Sequence, residues 1–103
     1  MATVFVSKRY LLSGRVQGVG CRAQILALAD GIGHLAGFVR NLSDGRVEVR
    51  VKGPDWRMKD FDQALRSQLR PPVRIEDVES SELSGFRAAG FTIAPTVHPE
   101  TDN

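Results

Sequence analysis

Tyr10-Leu-Leu-Ser-Gly-Arg-Val-Gln-Gly-Val-Gly-Cys-Arg-Ala-Gln-Ile-Leu-Ala-Leu-Ala-Asp-Gly-Ile-Gly33 changes its hydrophobic period in mid-run, and that change decides the fold. Tyr10, Leu12, Gly14 and Val16 alternate with Leu11, Ser13 and Arg15, the two-residue period of a strand. From Arg22 onward Ile25, Leu28, Ala29 and Ile32 fall at i, i+3, i+4 and i+7, one face of a helix. Gly18 and Gly20 end the strand, and Gly31 and Gly33 mark the helix end. The unit is therefore strand, glycine loop, helix.

Downstream, Gly37 to Leu42 reads as a short apolar strand and Ser43-Asp44-Gly45 as a turn. Val47, Val49 and Val51 alternate with Glu48, Arg50 and Lys52, a half-buried strand that completes a hairpin. Gly53-Pro54 breaks the hairpin, and Pro54 or Asp55 can start a helix whose buried stripe is Met58, Phe61, Leu65 and Leu69. Pro71-Pro72 stops that helix. Val73 to Val78 reads as a strand with a polar continuation through Gly85, and Gly90 to Ile93 as a last short strand. The order β-α-β-β-α-β predicts an α+β, ferredoxin-like sandwich, with two helices on one face of a mainly antiparallel sheet. Residues 1–94 form the expected domain, and 95–103 a polar tail expected to fray.

The chain has 103 residues, 42% hydrophobic and 25% charged, which suits one globular domain and excludes general disorder. A single cysteine, Cys21, excludes an internal disulfide, and two scattered histidines do not make a structural zinc site. No apolar run approaches a membrane span, and Met1 to Ser7 is too short an apolar stretch for a signal-peptide core. A cytoplasmic location, no membrane partner and a monomeric state are expected. The net charge of +2 comes from 14 basic and 12 acidic residues, interspersed along the chain. That balance suits one small anion better than nucleic acid. An RNA-binding reading also needs aromatics displayed on central strands, and the Val47–Val51 strand has none.

Chemistry concentrates in Gly14-Arg-Val-Gln-Gly-Val-Gly-Cys-Arg22. Glycines let successive N–H groups turn into one concavity. The first N–H groups of a helix lack intrahelical partners and carry partial positive charge. Gln17, Gly18, Val19, Gly20, Cys21 and Arg22 thus form a candidate phosphate loop, with Arg22 adding a planar fork of donors. The Gln17 side chain, inside the turn, is placed to face a ligand. Asn41 lies near a strand end, where its amide can donate and accept at once, as positioning a water requires; it can equally cap the hairpin turn. Gly18 to Ala23 also matches G-x-G-x-x-A, but the chain is too short for the paired halves of a dinucleotide-binding fold.

Gly14 to Arg22 together with Gly37-Phe-Val-Arg-Asn-Leu-Ser-Asp-Gly-Arg-Val-Glu-Val49 resembles the acylphosphatase family, whose pattern is G-x-V-Q-G-V-x-F-R followed by G-x-V-x-N-x-x-D-G-x-V-E. The likeness runs from about Arg9 to Ile93. It implies hydrolysis of carboxyl-phosphate bonds, with Arg22 binding phosphate, Asn41 orienting water, and the backbone of Gln17 to Arg22 cradling the phosphate oxygens. It implies an acyl phosphate substrate, inorganic phosphate as product and inhibitor, and no metal or organic cofactor. The chain departs from the pattern at Cys21, where the family has Phe, and in one extra residue near Gly33-His34-Leu35. Two other functions fit the same fold: the N-terminal domain of a hydrogenase-maturation carbamoyltransferase acting on carbamoyl phosphate, and a non-catalytic anion-binding module. Cys21 is expected to pack inward, His34 and His98 to be bystanders, Trp56, which opens the second helix, to be an amphipathic packing residue, and Glu76, Asp77 and Glu79 to form a solvated acidic face.

Overall fold

A computed structural model describes residues 2–99. Its elements are β1 (Phe5–Arg15), α1 (Cys21–Ile32), β2 (Ala36–Asn41), β3 (Val47–Pro54), α2 (Asp55–Ser67), β4 (Arg74–Glu82) and β5 (Phe91–Ile93). The five strands form one sheet in the order β4-β1-β3-β2-β5. β1 pairs antiparallel with β3 and β4, β2 antiparallel with β3, and β5 parallel with β2. This is the expected sandwich, with β5 as the additional edge strand.

The alternation read in β3 sorts the sheet into two faces. Val47, Val49 and Val51 are fully buried and pack in one core with Ile25 and Ala29 of α1 and Met58, Phe61 and Leu65 of α2. Tyr10 joins that core edge-to-face with Phe61, at 6.0 Å between ring centroids, and its hydroxyl donates to Asp62 Oδ1 at 3.0 Å. Burial and the acidic neighbour push its phenol pKa up. The α1 stripe turns out to be Cys21, Ile25 and Ala29, with Leu28 only half-buried. Leu69 lies beyond the end of α2 and still packs against the core.

Three boundaries differ from expectation. β1 begins at Phe5 because its early residues pair with the far end of β3, Phe5 opposite Pro54. For the same reason β3 continues through Gly53 to Pro54. Proline is tolerated there because it closes the strand. Past Ile93 the chain does not leave the sheet at once. Ala94 N donates to Val39 O at 2.9 Å, Ser43 N to Val97 O at 2.9 Å, and Val97 N to Asn41 O at 3.3 Å. The remainder of the expected fraying, residues 100–103, lies outside the described residues. Trp56 is exposed on α2, with Arg57 stacked over its ring, instead of packing inward.

On the sheet face away from the helices, Glu48 is completely buried. It receives Arg9 Nε at 2.5 Å, Arg40 Nε at 2.6 Å and Arg50 Nη2 at 3.2 Å. A buried carboxylate needs that many donors to offset its desolvation. Among the described residues no helix is long and apolar enough to cross a membrane.

Candidate active site

β1 ends and α1 begins through a loop shaped by two glycines. Gly18 has φ +73° and Gly20, the N-cap of α1, has φ +81°. A Cβ at either would meet nothing within 4 Å, so the backbone conformation and not crowding calls for glycine. The first backbone hydrogen bond of α1 runs from Gln24 N to Gly20 O at 3.1 Å. Among the described residues, the N–H groups of Gly18 through Ala23 donate no backbone hydrogen bond.

The first turn of α1 holds no acidic residue and carries Arg22 instead. A cation there opposes the helix dipole, which favours negative charge at an N-terminus by about 0.3–1 kcal/mol. Arg22 has no ion-pair partner among the described residues. Both features are reversed by an anion placed before the helix: it accepts from the N–H groups and pairs with the guanidinium. A cavity of about 210 Å³ lies there, lined by Val16, Gly18, Gly20, Cys21, Arg22, Ala23 and Ile93. The roomier groove between the helices, about 550 Å³, is lined by residues such as Ala27, Gly31, Asp60 and Gln63 and presents no cation.

Cys21 is buried within the core, as expected. Burial pushes its thiol up to about 11, against a smaller opposing pull from Arg22. The native thiol therefore keeps its proton where the unfolded one ionises, so its contribution to stability is present below about pH 9 and is lost as pH rises through about 11. Cys21→Ser is expected to lower stability by about 1–2 kcal/mol, through a buried hydroxyl, while leaving turnover within a few-fold of wild type. Melting curves and steady-state assays on the same preparation check it. Thiol reagents should react slowly with the native protein.

Asn41 stands at the end of β2, in register with Val47 and on the same side of the sheet as Val39. Its Oδ1 is buried with no hydrogen-bond partner among the described residues. An ordinary turn cap would have been satisfied, so the amide is not spent on the hairpin. That hairpin is capped by Asp44, which accepts from Arg46 N at 3.1 Å and Arg46 Nε at 2.9 Å. Hydrogen bonding from Arg46 also holds the Asp44 carboxyl below its ordinary pKa.

The Gln17 side chain turns toward the hairpin: its Nε2 donates to Leu42 O at 2.7 Å and to Arg46 O at 2.8 Å. The two carbonyls exhaust its donors, and only the Gln17 backbone remains for the cradle. Gln17 thereby ties the glycine loop to the turn that follows Asn41. His98, expected to be a bystander, hydrogen-bonds Ser43 Oγ at 2.6 Å. Only the parallel pairing of the last segment with β2 brings these two together, and no local spacing announces it. His34 is exposed at φ +60°, in the connection where the extra residue falls. Glu76, Asp77 and Glu79 are exposed along β4.

A strand, a glycine loop whose N–H groups are unpaired among the described residues, and an arginine in the first turn of the next helix place a candidate anion cradle on an α+β sandwich. The acylphosphatase family model matches residues 8–93, and the chain belongs to that family. An acylphosphatase of Koribacter versatilis (strain Ellin345) is 42% identical over 89 residues, covering 82% of this chain and 80% of the relative. The crystal structure of acylphosphatase from Bacillus subtilis superposes with a TM-score of 0.79 at 33% identity, over 88% of this chain and 99% of that one. Full-length HypF in its phosphate- and nucleotide-bound form gives a TM-score of 0.87 at 21% identity, over 96% of this chain and 13% of that one, a likeness of fold.

Proposed function

We propose that this chain hydrolyses the carboxyl–phosphate bond of small acyl phosphates, with Arg22 and the backbone of Gln17 to Arg22 holding the phosphate and Asn41 the attacking water. The observation that carries the reading is the run of N–H groups from Gly18 to Ala23, unpaired among the described residues, beside an arginine with no carboxylate partner among them. These donors are fixed in the folded chain and can meet charge on the phosphoryl oxygens without reorganising.

Water attacks phosphorus, the bond from phosphorus to the carboxyl oxygen breaks, and the electron pair leaves with the carboxylate. A carboxylate departs without protonation, so no strong acid is needed at the leaving group. The water gives up one proton, taken by the phosphate product or by solvent. Asn41 offers an acceptor for a water hydrogen in its buried Oδ1, which matches a task of orientation more than of proton removal.

The deciding experiment is turnover of a small aromatic acyl phosphate against an ordinary phosphate monoester. Rapid hydrolysis of the first alone supports the reading, and equal rates on both overturn it. Including carbamoyl phosphate separates the carbamoyltransferase-domain alternative, for which it should be the preferred substrate. Inorganic phosphate should also stabilise the native fold. A ligand confined to the native state adds about 1.4 kcal/mol at ~10 times its Kd, a few degrees in Tm for a domain this small. The shift should survive a chelator and disappear in Arg22→Ala.

A further inference from the structure

We infer that the Gln17 side chain is a positioning group for hydrolysis: its amide sets where Asn41 stands relative to the phosphate cradle and does not itself touch substrate; the inference rests on the role proposed for Asn41. The glycine loop and the β2–β3 turn are separate segments, and a reaction that needs phosphate on one and water on the other depends on their spacing. The Gln17 amide spans them. It donates to Leu42 O at 2.7 Å and to Arg46 O at 2.8 Å.

Those two carbonyls form the neck of the turn. Leu42 N donates to Arg46 O at 2.8 Å, and Gly45 N donates to Leu42 O at 3.1 Å. Each carbonyl thus accepts one bond from the turn and one from Gln17, using both of its lone pairs. Leu42 is fully buried, so no water replaces the Gln17 donor there without rearrangement. Asn41 is the residue immediately before this neck.

Asn41 Oδ1 has no partner among the described residues, so no hydrogen bond fixes that oxygen's direction. Its position follows from its backbone. That backbone is held on one side by the ladder to β3 and by the bond from Val97 N, and just beyond by the Gln17 clip. The clip alone among these bonds reaches the phosphate loop. Displacing a catalytic group by about 1 Å can cost ~100-fold in rate. Binding of phosphate to the loop's own N–H groups and Arg22 is far less sensitive to that displacement.

The test is Gln17→Met, which keeps the length of the side chain and removes both donors. The expected result is a kcat lower by ~10-fold or more, with the inhibition constant of inorganic phosphate within ~2-fold of wild type. Gln17→Asn keeps the amide one methylene short of its acceptors. It should give a smaller loss of kcat with the same unchanged phosphate affinity, and it decides the matter by the same split if Gln17→Met does not fold. Placed on Asn41→Ala, Gln17→Met should cost less than ~2-fold further, since there is no longer an amide to position. Unchanged kcat overturns the inference, as does an equal loss of phosphate affinity, which would make Gln17 a ligand contact. A full additional loss on the Asn41→Ala background overturns it as well. If Asn41→Ala itself keeps its turnover, the role of Asn41 fails; if Asn41→Ala loses turnover and Gln17→Met does not, only the role of Gln17 fails.

Discussion

Arg22→Ala is expected to lower kcat/KM for a small aromatic acyl phosphate by at least ~100-fold, because a charge-assisted, two-pronged contact to the transferring phosphoryl group disappears. The loss should appear in phosphate affinity as well as in turnover, since the guanidinium meets ground state and transition state alike. Stability should move the other way. Arg22 lies in the first turn of α1, where no acidic residue offsets it and the helix dipole opposes a cation. Removing it is expected to leave Tm unchanged or raised by a degree or two, in line with ~0.3 kcal/mol. Arg22→Lys should recover part of the phosphate affinity but less of the rate, because an ammonium keeps the charge and loses the planar fork. Steady-state kinetics paired with melting curves, with and without phosphate, check all three. A folded Arg22→Ala with near-normal turnover would remove the basis of the site.

Asn41→Ala is expected to cut kcat by ~100-fold or more while inorganic phosphate still inhibits within a few-fold of its wild-type constant. A water-orienting group acts in the transition state, so its removal falls on turnover and not on ground-state binding. The structure adds a second readout. Asn41 Oδ1 is buried and unpartnered among the described residues. No protein group among the described residues depends on that oxygen, so Asn41→Ala should melt within a degree or two of wild type. A purely structural asparagine predicts the opposite pairing, lower stability with preserved turnover. Calorimetry and phosphate inhibition on one sample of the variant separate the two.

Much of this was legible because it is local. The switch of period at Arg22, the glycines at 18 and 20, and the alternating valines of β3 each report on their own few residues. What escaped reading depends on partners far along the chain. Glu48 alternates with valines and looks like a solvated strand residue, yet it is fully buried because Arg9 and Arg40 converge on it from the neighbouring strands. Gln17 looks like a ligand contact because it sits in a phosphate-type loop. Its true acceptors, Leu42 O and Arg46 O, come from another hairpin. Phe5 to Arg9 joins β1 because Arg50 to Pro54 pairs with it on one side and Ser81 and Glu82 pair with Arg9 and Lys8 on the other. Asn41 is legible through family likeness and the chemistry of its amide; the burial of its Oδ1 away from any protein donor among the described residues depends on packing that no local spacing announces.

The position of β1 in the sheet carries a consequence for how the protein is made. β1 precedes the other strands of this domain in sequence, and it lies between β3 on one side and β4, the strand that follows α2, on the other. Until Arg74–Glu82 has left the ribosome, one edge of β1 presents its backbone groups to any passing strand. The segment that flanks Asn41, residues 94–98, emerges later still. A nascent chain halted in α2 therefore holds both catalytic candidates but neither a closed sheet nor a finished site. Closure waits for β4 and the segment after β5 to emerge, and with pairings this distant in sequence it proceeds more slowly than the folding of a helical bundle.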